Sequence, residues 1–422
     1  MNQKYYLRCK NYILFLTFWS AVLFCIALVV GSLSAFFLHA LDFVSNLREG
    51  DPSIIYFLPI AGFVIGWIYY RYGSKANQGN NLLLEEIHSP NSIIPIRMAP
   101  FVLFGTLVTH LFGGSAGREG TAVQMGGSIA HQVVRFFPFA QKEHQSLIIF
   151  GMSAGFAAVF GTPIAAAIFS IEVIQIGAYR WKLFLPSLMI AWLSHEVCLF
   201  WNVKHSLFPE VLFVWDEMIF LSIILLAVSS GIIAKVFTKL LYFLSKLAQN
   251  LIKYPPFRPF VGGLVLVILF LSGVGLEYYG LGVNTIQNAF TETLPNETFL
   301  WKLLLTSITI GFGFKGGEVT PLFFIGAALG NMFSQIDPTF LTLFVSVGFI
   351  SVFAGATNTP LACAIMGMEL FGFQCGLLFL LVTQISYILS GHTSIYSSQI
   401  IAKKKWLHSR SDIGKKISDL SK

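Results

Sequence analysis

Long apolar segments recur from one end of the chain to the other, and each is a candidate for burial in lipid. Examples are Tyr12–Leu41, Ser146–Val173 and Phe340–Phe353. Hydrophobic residues make up 55% of the 422 residues and charged residues only 11%, whereas a soluble domain has roughly a quarter charged residues. We therefore predict an all-α polytopic membrane protein.

Several of these segments are too short for a straight membrane span. A helix needs about 20 residues to cross the hydrocarbon core, but Met98–Leu111, Pro321–Phe333 and Leu361–Phe371 are shorter. The chain also contains 37 glycines, small residues that let helix backbones approach closely. Irregular backbone at membrane depth is stable only inside protein or beside water. We expect broken and re-entrant helices packed against one another.

Two Gly-rich breaks in the chain match each other in register. The first is Gly117-Arg118-Glu119-Gly120-Thr121 and the second is Gly317-Glu318-Val319-Thr320-Pro321. Each opens a helical pattern, and a further glycine follows at the same distance, Gly126 in one case and Gly326 in the other. This correspondence indicates an internal duplication.

A second pair of segments supports the duplication. The stretch Ala158–Glu172 mirrors Gly355–Glu369, and each starts a helix at a Thr-Pro pair, with the threonine expected as the cap and the proline at the first helical position. Weak repeats with Gly/Pro-interrupted helices are typical of transporters whose substrate site lies between the repeats. We predict membrane repeats over 11–205 and 206–402.

Basic residues cluster at both ends of the chain. The N-terminal segment 1–10 contains Lys4, Arg8 and Lys10, and the tail 403–422 begins with three lysines. By the positive-inside rule both ends are predicted to be cytoplasmic segments of an integral multi-pass cell membrane protein. The net charge of +7 is then largely topological and does not indicate a nucleic-acid partner.

Glu119 is an ionisable residue in a segment otherwise suited to lipid, which is by default a sign of function. The breaks at Gly117 and Gly317, and a third at Gly79-Asn80-Asn81-Leu82, open helices. Helix N-termini present unpaired N–H groups and partial positive charge, so several together form an anion site. The Glu119 carboxylate is itself an anion that could occupy these amides until protonation releases it. The residues alone leave open a simpler role, pairing with Arg118 or capping a helix.

At these residues the sequence resembles the CLC family of anion channels and anion/proton antiporters. Residues 117–120 match the family's GREG motif, 316–321 its GGxFxP motif and 79–82 its GSGIP motif, in the same order over nearly all of the hydrophobic chain. The resemblance implies a CLC fold of two inverted-topology repeats and a homodimer with a separate pore in each subunit. The short tail implies that the C-terminal regulatory domains of many relatives are absent.

Three departures from the chloride members point to one branch of the family. The chain has Asn80 in place of serine, Thr121 in place of proline and Val319 in place of phenylalanine. All three resemble the fluoride/proton antiporter branch, CLC-F. The resemblance implies export of fluoride driven by proton entry, with Glu119 as gate and proton carrier. A chloride/proton antiporter or a passive anion channel of the same fold is the alternative.

The same resemblance assigns an anion-binding set around Glu119. Tyr396, in Ser394-Ile395-Tyr396-Ser397, resembles the family's central tyrosine, although a tyrosine at a membrane edge is often an interfacial anchor. Glu318 is a second carboxylate beside the break or simply an N-terminal residue favoured by the helix dipole, and Thr320 binds a carboxylate or fluoride or acts as a cap. The expected set is Asn80, Gly117, Arg118, Gly120, Gly317, Glu318, Val319, Thr320 and Tyr396.

Val173 occupies the position of the internal proton glutamate of chloride/proton antiporters, so the resemblance implies another proton route to Glu119. His110, His195, Glu172 and Glu369 are further candidates for that route, but satisfied buried polar groups or helix ends are the expected roles for all four. A polytopic membrane enzyme using Glu119 or Glu318 as general acid/base is a different class of function. The sequence has no metal-ligand cluster, nucleophile elbow or phosphate loop to support it. We therefore predict a transporter of fluoride and protons that needs no cofactor and no metal.

Overall fold

A computed structural model describes residues 3–90, 93–212, 215–406 and 408–420, with side chains from Thr17 onward except at 138 and 139. The described chain is mainly helical, which confirms the all-α prediction. The helices of the first half are α1 Gln3–Gly50, α2 Leu58–Ile68, α3 Asn80–His88, α4 Met98–Leu111, α5 Glu119–His131, α6 Val133–Phe136, α7 His144–Phe160, α8 Pro163–Glu172 and α9 Phe184–Phe200.

The second half repeats this order of helices, and the predicted division at residues 205 and 206 lies between α9 and α10. Its helices are α10 Glu217–Leu251, α11 Phe257–Leu271, α12 Val283–Asn288, α13 Thr298–Gly311, α14 Val319–Phe333, α15 Leu341–Thr357, α16 Pro360–Phe371, α17 Gly376–Leu389 and the terminal α18 Ile417–Leu420. Short 3-10 helices lie at Pro52–Phe57, Ser74–Gln78, Pro138–Glu143, Trp181–Leu183, Leu276–Tyr278, Ser334–Ile336, Pro338–Phe340, Phe373–Cys375 and Arg410–Asp412, and a π-helix at Tyr69–Gly73.

The described strands tie the end of the chain to the first half. Strand β1, Gln175–Ile176, follows α8 and pairs in parallel with β2, Ile400–Ile401, so that Gln175 lies opposite Ile400. The pairing holds β2 next to the turn that contains Val173. We call residues 391–406 and 408–420 the tail segment. The face of the molecule on which they lie is called the tail side.

Six helical stretches in the described chain are long and apolar enough to cross a membrane. The remaining apolar helices are shorter, and α5, with 13 residues, begins at Glu119 in the buried interior. Broken helices packed inside protein are therefore observed as predicted. The six stretches are Thr17–Gly50, Pro52–Gln78, Trp181–Phe200, Glu217–Leu251, Val319–Ile336 and Pro338–Thr357.

The two halves pack their central helices through equivalent glycines. A Cβ atom placed on Gly126 of α5 would lie 2.0 Å from the Gly151 carbonyl oxygen of α7, and one placed on Gly326 of α14 would lie 2.2 Å from the Gly348 carbonyl oxygen of α15. These backbones are too close for any side chain at either position. The same contact in both halves confirms the repeat.

The two Thr-Pro helices are capped by glutamates from the opposite repeat, and not by their own threonines as the sequence predicted. Neither threonine makes a side-chain cap hydrogen bond. Instead Leu361 N and Ala362 N of α16 donate to the Glu172 carboxylate at 3.1 and 2.7 Å. In the reciprocal contact Ile164 N and Ala165 N of α8 donate to Glu369 at 3.0 and 2.7 Å. A carboxylate is favoured there because it accepts two amides at a positive helix end. Both glutamates thus have the structural role expected of them.

Removing either cap is expected to destabilise the protein. Glu172→Ala leaves the amides of Leu361 and Ala362 without their acceptor, and an unsatisfied buried donor costs about 1–3 kcal/mol. We expect a lower melting temperature in detergent, and a similar loss for Glu369→Ala because the two contacts are equivalent. The exposed Glu297→Ala serves as control, and unchanged melting of both cap variants would contradict the assignment.

Candidate anion-binding site

The two Gly-rich breaks meet at the centre of the molecule. Gly117 N donates to Gly317 O, and Gly317 N donates to Gly117 O at 2.8 Å, which forms an isolated antiparallel bridge between the repeats. A Cβ atom on Gly117 would lie 2.9 Å from Thr320 N. The N–H group of each glycine donates to the carbonyl oxygen of the other, so the bridge holds the two breaks together. The predicted part of Gly117 and Gly317 in anion binding stays a prediction.

Glu119 lies across this junction and contacts the helix of the other repeat. Its side chain is 1% exposed. The Oε2 atom accepts hydrogen bonds from Thr320 N at 3.1 Å and from Thr320 Oγ1 at 2.6 Å. Thr320 is the second residue of α14, so the carboxylate occupies the N-terminal end of that helix, where the dipole favours negative charge. The hydrogen bond expected between Thr320 and a carboxylate is present.

The second oxygen of Glu119 is less well satisfied. Oε1 is buried and has no hydrogen-bond partner among the described residues; it lies 3.6 Å from Arg118 Nε, which also lacks one. Arg118 N donates to Thr320 Oγ1 at 3.3 Å, so the threonine hydroxyl can accept from Arg118 while it donates to Glu119. Both roles that the sequence left open, helix capping and proximity to Arg118, are present together.

The third break reaches the same point through Asn80. Helix α3 begins there after Gly79, whose φ of +60° favours glycine. A Cβ atom on Gly120 would lie 3.0 Å from Gly317 Cα, 3.2 Å from Asn80 Nδ2 and 3.9 Å from Glu318 Oε2. The Asn80 Oδ1 atom is buried and has no hydrogen-bond partner among the described residues. Polar groups at the N-termini of α3 and α14 therefore lie next to Gly120, at the start of α5.

A cavity of about 380 Å³ approaches this junction from the tail side, and we call it the tail-side cavity. Tyr242, in its wall, donates a hydrogen bond from its hydroxyl to Ser394 O at 2.9 Å, so the cavity adjoins the tail segment. Lys315, also in the wall, donates from Nζ to Asn77 Oδ1 at 2.7 Å and lies 4.2 Å from the centre of the Tyr69 ring. The lining of the tail-side cavity includes Asn80, Glu318, Tyr396, Tyr242, Lys315 and Arg258.

A second cavity, of about 510 Å³, lies on the other side of the junction, and we call it the far-side cavity. It is lined by residues 203–206, which precede α10, whereas Tyr242 of the tail-side cavity lies near the other end of that helix. Arg118 and Arg48 line the far-side cavity, and Glu119 lines neither cavity. Glu119 is therefore a buried carboxylate between two cavities, with Arg118 next to one and Glu318 next to the other.

His110 differs from the satisfied buried group that the sequence predicted. Its main-chain oxygen accepts from Arg48 at 2.8 Å. Its side chain is fully buried, yet neither ring nitrogen has a hydrogen-bond partner among the described residues. His195 stacks on His205 at 5.2 Å between ring centres, and its Nδ1 atom is also unpartnered in the described part of the chain.

The turn at Val173 is held by two side chains from other parts of the chain. Gln399 Nε2 donates to Val173 O at 2.7 Å, and His88 Nε2 lies 3.1 Å from Ile174 O. The neighbouring Glu172 is used as the cap of α16. Sequence reasoning missed Gln399, His88 and Lys315. Of these, only Lys315 carried a signal, because it is a cation directly before the second Gly-rich break.

Known anion channel proteins are similar to this chain over most of its length. The family described as voltage gated chloride channel matches residues 61–391. A chloride/fluoride channel protein of Pseudomonas syringae pv. tomato is 40% identical over 398 residues, which cover 92% of this chain and 87% of that protein. Both matches include all three breaks.

Solved structures give the same result for the fold. The crystal structure of a CLC-type fluoride/proton antiporter superposes with a TM-score of 0.86 at 36% identity, over 91% of this chain and 98% of that one. A slow cyanobacterial Cl⁻/H⁺ antiporter gives 0.77 at 19% identity over 95% and 96% of the two chains, which supports the fold alone. The chain belongs to the CLC family of voltage gated chloride channels, as an integral multi-pass membrane protein of anion and proton transport.

Proposed function

We propose that the protein exports fluoride from the cytoplasm in exchange for entering protons, with Glu119 as gate and proton carrier. The observation that carries the proposal is the pair of hydrogen bonds from Thr320 N and Oγ1 to the Glu119 carboxylate. These donors lie at a helix N-terminus, a natural binding position for an anion. A bound fluoride and a charged Glu119 would therefore compete for the same groups.

The competition couples the two ions in opposite directions. A proton arriving through the far-side cavity binds Glu119, whose Oε1 has no hydrogen-bond partner among the described residues. The neutral acid is a weaker acceptor than the carboxylate, so fluoride from the tail-side cavity displaces it from Thr320. Glu318, which lines the tail-side cavity, is the nearby carboxylate that can take the proton onward. Glu119 then loses its proton and returns as a carboxylate to Thr320, and fluoride leaves by the far-side cavity.

This direction requires the tail side to be cytoplasmic. The basic tail supports that orientation by the positive-inside rule. The C-terminal part of α1 lines the far-side cavity, with Leu38 and Glu49 among the lining residues, so its N-terminal end points toward the opposite face. Both termini are then cytoplasmic, and 403–422 forms the basic cytoplasmic tail.

Fluoride is proposed over chloride because the site is tight and rich in strong donors. Asn80 Nδ2 lies only 3.2 Å from the position of a Cβ atom on Gly120, which favours the smaller ion. The hydroxyl of Thr320 is a donor at the gate, and Tyr396 contributes another in the tail-side cavity. The descriptions of two similar proteins, 40% and 36% identical to this chain, name fluoride.

We also propose a homodimer with a separate pathway in each subunit. One chain supplies all three helix N-termini and both cavities, so the pathway needs no residue from a partner. Native mass spectrometry in detergent tests the stoichiometry, and a monomer that retains full transport would contradict the dimer as the working unit.

Ion efflux from proteoliposomes tests the choice of anion. Vesicles containing the full-length protein are loaded with equal fluoride and chloride, and each ion is followed with its own electrode. We expect fluoride efflux to exceed chloride efflux by at least tenfold, a difference of about 1.4 kcal/mol. Equal efflux would contradict the proposed selectivity and favour the chloride/proton alternative.

Asn80→Ser is expected to move the preference toward chloride. The shorter side chain removes the amide next to Gly120 and leaves room for a larger ion. We expect the ratio of fluoride to chloride efflux to fall severalfold. The matched control is Asn81→Ser, because Asn81 Oδ1 instead accepts from Ser398 N at 3.1 Å. A ratio unchanged by Asn80→Ser would mean that this break is only structural.

A further inference from the structure

Helix α10 carries a continuous apolar face directed away from the protein. Its exposed residues recur at intervals of three, four or seven positions, which is the spacing of one helix face. The stretch from Met218 to Val236 is about 27 Å long at 1.5 Å per residue, close to the roughly 30 Å of a bilayer core. The exposed residues are Met218, Leu221, Leu225, Ile232 and Val236.

The same face becomes basic where the helix leaves the hydrocarbon. The next positions on it are Lys239, Phe243 and Lys246, and Phe243 is 62% exposed. Both lysine side chains are exposed and belong to none of the ion pairs of the described chain. An apolar stripe that ends in unpaired cations matches the chemistry of an anionic lipid. The acyl chains would lie along the apolar stripe and the phosphate beside the lysines.

A cavity of about 660 Å³ lies between this end of α10 and the tail segment, and we call it the α10–tail cavity. Its wall combines the two lysines with apolar groups, and no carboxylate lines it among the described residues. A free inorganic anion would gain nothing from the apolar part of the wall. The lining includes Lys239, Phe243, Lys246, Thr393, Ile417 and Leu420.

We propose that the α10–tail cavity binds the headgroup of an anionic phospholipid. The phosphate lies at Lys239 and Lys246, and the acyl chains follow the apolar face of α10. Binding does not depend on the proposed transport function. A consequence that does depend on it concerns the tail-side cavity, with which the α10–tail cavity shares Tyr242, Ser245 and Gln249. The bound headgroup places negative charge beside the entrance for the anion and slows fluoride entry.

Native mass spectrometry tests lipid binding without any transport assay. The full-length protein in detergent is mixed with equal amounts of phosphatidylglycerol and phosphatidylcholine. The wild type is expected to retain phosphatidylglycerol preferentially. The double variant Lys239→Gln/Lys246→Gln is expected to retain about thirtyfold less of it, as expected for the loss of two interfacial cations. The control is Lys142→Gln/Lys182→Gln, which removes the same charge from two exposed lysines of the other repeat and should retain the lipid as the wild type does.

Two outcomes would overturn the site: equal retention of the two lipids by the wild type, or equal loss in the control double variant. Displacement of the lipid by millimolar glycerol phosphate would mean that the cavity recognises a soluble phosphate. Fluoride efflux in vesicles with and without phosphatidylglycerol tests the consequence separately. We expect the lipid to slow the wild type severalfold more than the Lys239→Gln/Lys246→Gln variant. Lipid binding without fluoride transport would contradict the proposed function and leave the lipid site standing.

Discussion

Replacing Glu119 with glutamine is expected to abolish proton transport while fluoride still crosses the membrane. Glutamine has nearly the shape of the acid, but it neither carries a proton nor presents a negative charge to Thr320. The competition between carboxylate and anion disappears, so fluoride moves down its gradient without a counter-ion. In proteoliposomes with an imposed fluoride gradient we expect proton movement to fall at least a hundredfold, a loss of about 2.7 kcal/mol or more in coupling.

The control for this variant is Glu277→Gln. Glu277 lines the far-side cavity but does not contact Thr320, so its replacement removes a nearby charge and leaves the gate intact. Proton transport at the wild-type rate by the Glu119→Gln protein would show that another residue carries the proton.

Thr320→Val is expected to loosen the coupling without abolishing transport. Valine keeps the shape of threonine but removes the hydroxyl that donates to Glu119 at 2.6 Å. A hydrogen bond to a charged group contributes about 1.5–3 kcal/mol. Without it, the carboxylate is expected to be away from the helix end at least about tenfold more often. Fluoride then passes while Glu119 is away, and we expect several times more fluoride per proton.

Paired recording of both ions measures this ratio. Thr306→Val is the matched control, because the Thr306 hydroxyl lies 2.9 Å from Ser115 Oγ in the same region and does not contact Glu119. A Thr320→Val protein with the wild-type ratio would mean that the hydroxyl does not hold the gate.

The duplication explains why the gate joins two different residues. Glu119-Gly120 in the first repeat corresponds to Val319-Thr320 in the second, at the same place in each break. One repeat therefore contributes the carboxylate and the other the hydroxyl, and the bridge between Gly117 and Gly317 brings them together. Gly120, with no side chain, leaves room for the groups of the third break.

This part of the site could be predicted because it depends on local patterns. The Gly-rich breaks predict helix N-termini, and the equal spacing of the repeats predicts that the two breaks are related. The observed positions of Glu119 and Thr320 agree with that reasoning. Their roles in transport stay proposals that the flux measurements test.

The reciprocal caps could not be predicted from local pattern. Glu172 and Leu361 are 189 residues apart, and only the packing of α8 against α16 brings them together. A threonine before proline is a common cap, so local chemistry favoured the wrong residue. One signal was available: in each repeat a glutamate stands ten positions after the threonine, at Glu172 and Glu369.

Simultaneous measurement of fluoride and proton flux tests whether Glu119 couples the two ions. Vesicles containing the wild-type protein receive an outward fluoride gradient and no proton gradient, and both ions are recorded. If Glu119 exchanges one ion for the other, protons enter the vesicles against their growing gradient, in a fixed ratio to the fluoride that leaves. Fluoride efflux with no proton uptake would show that Glu119 does not couple the two ions.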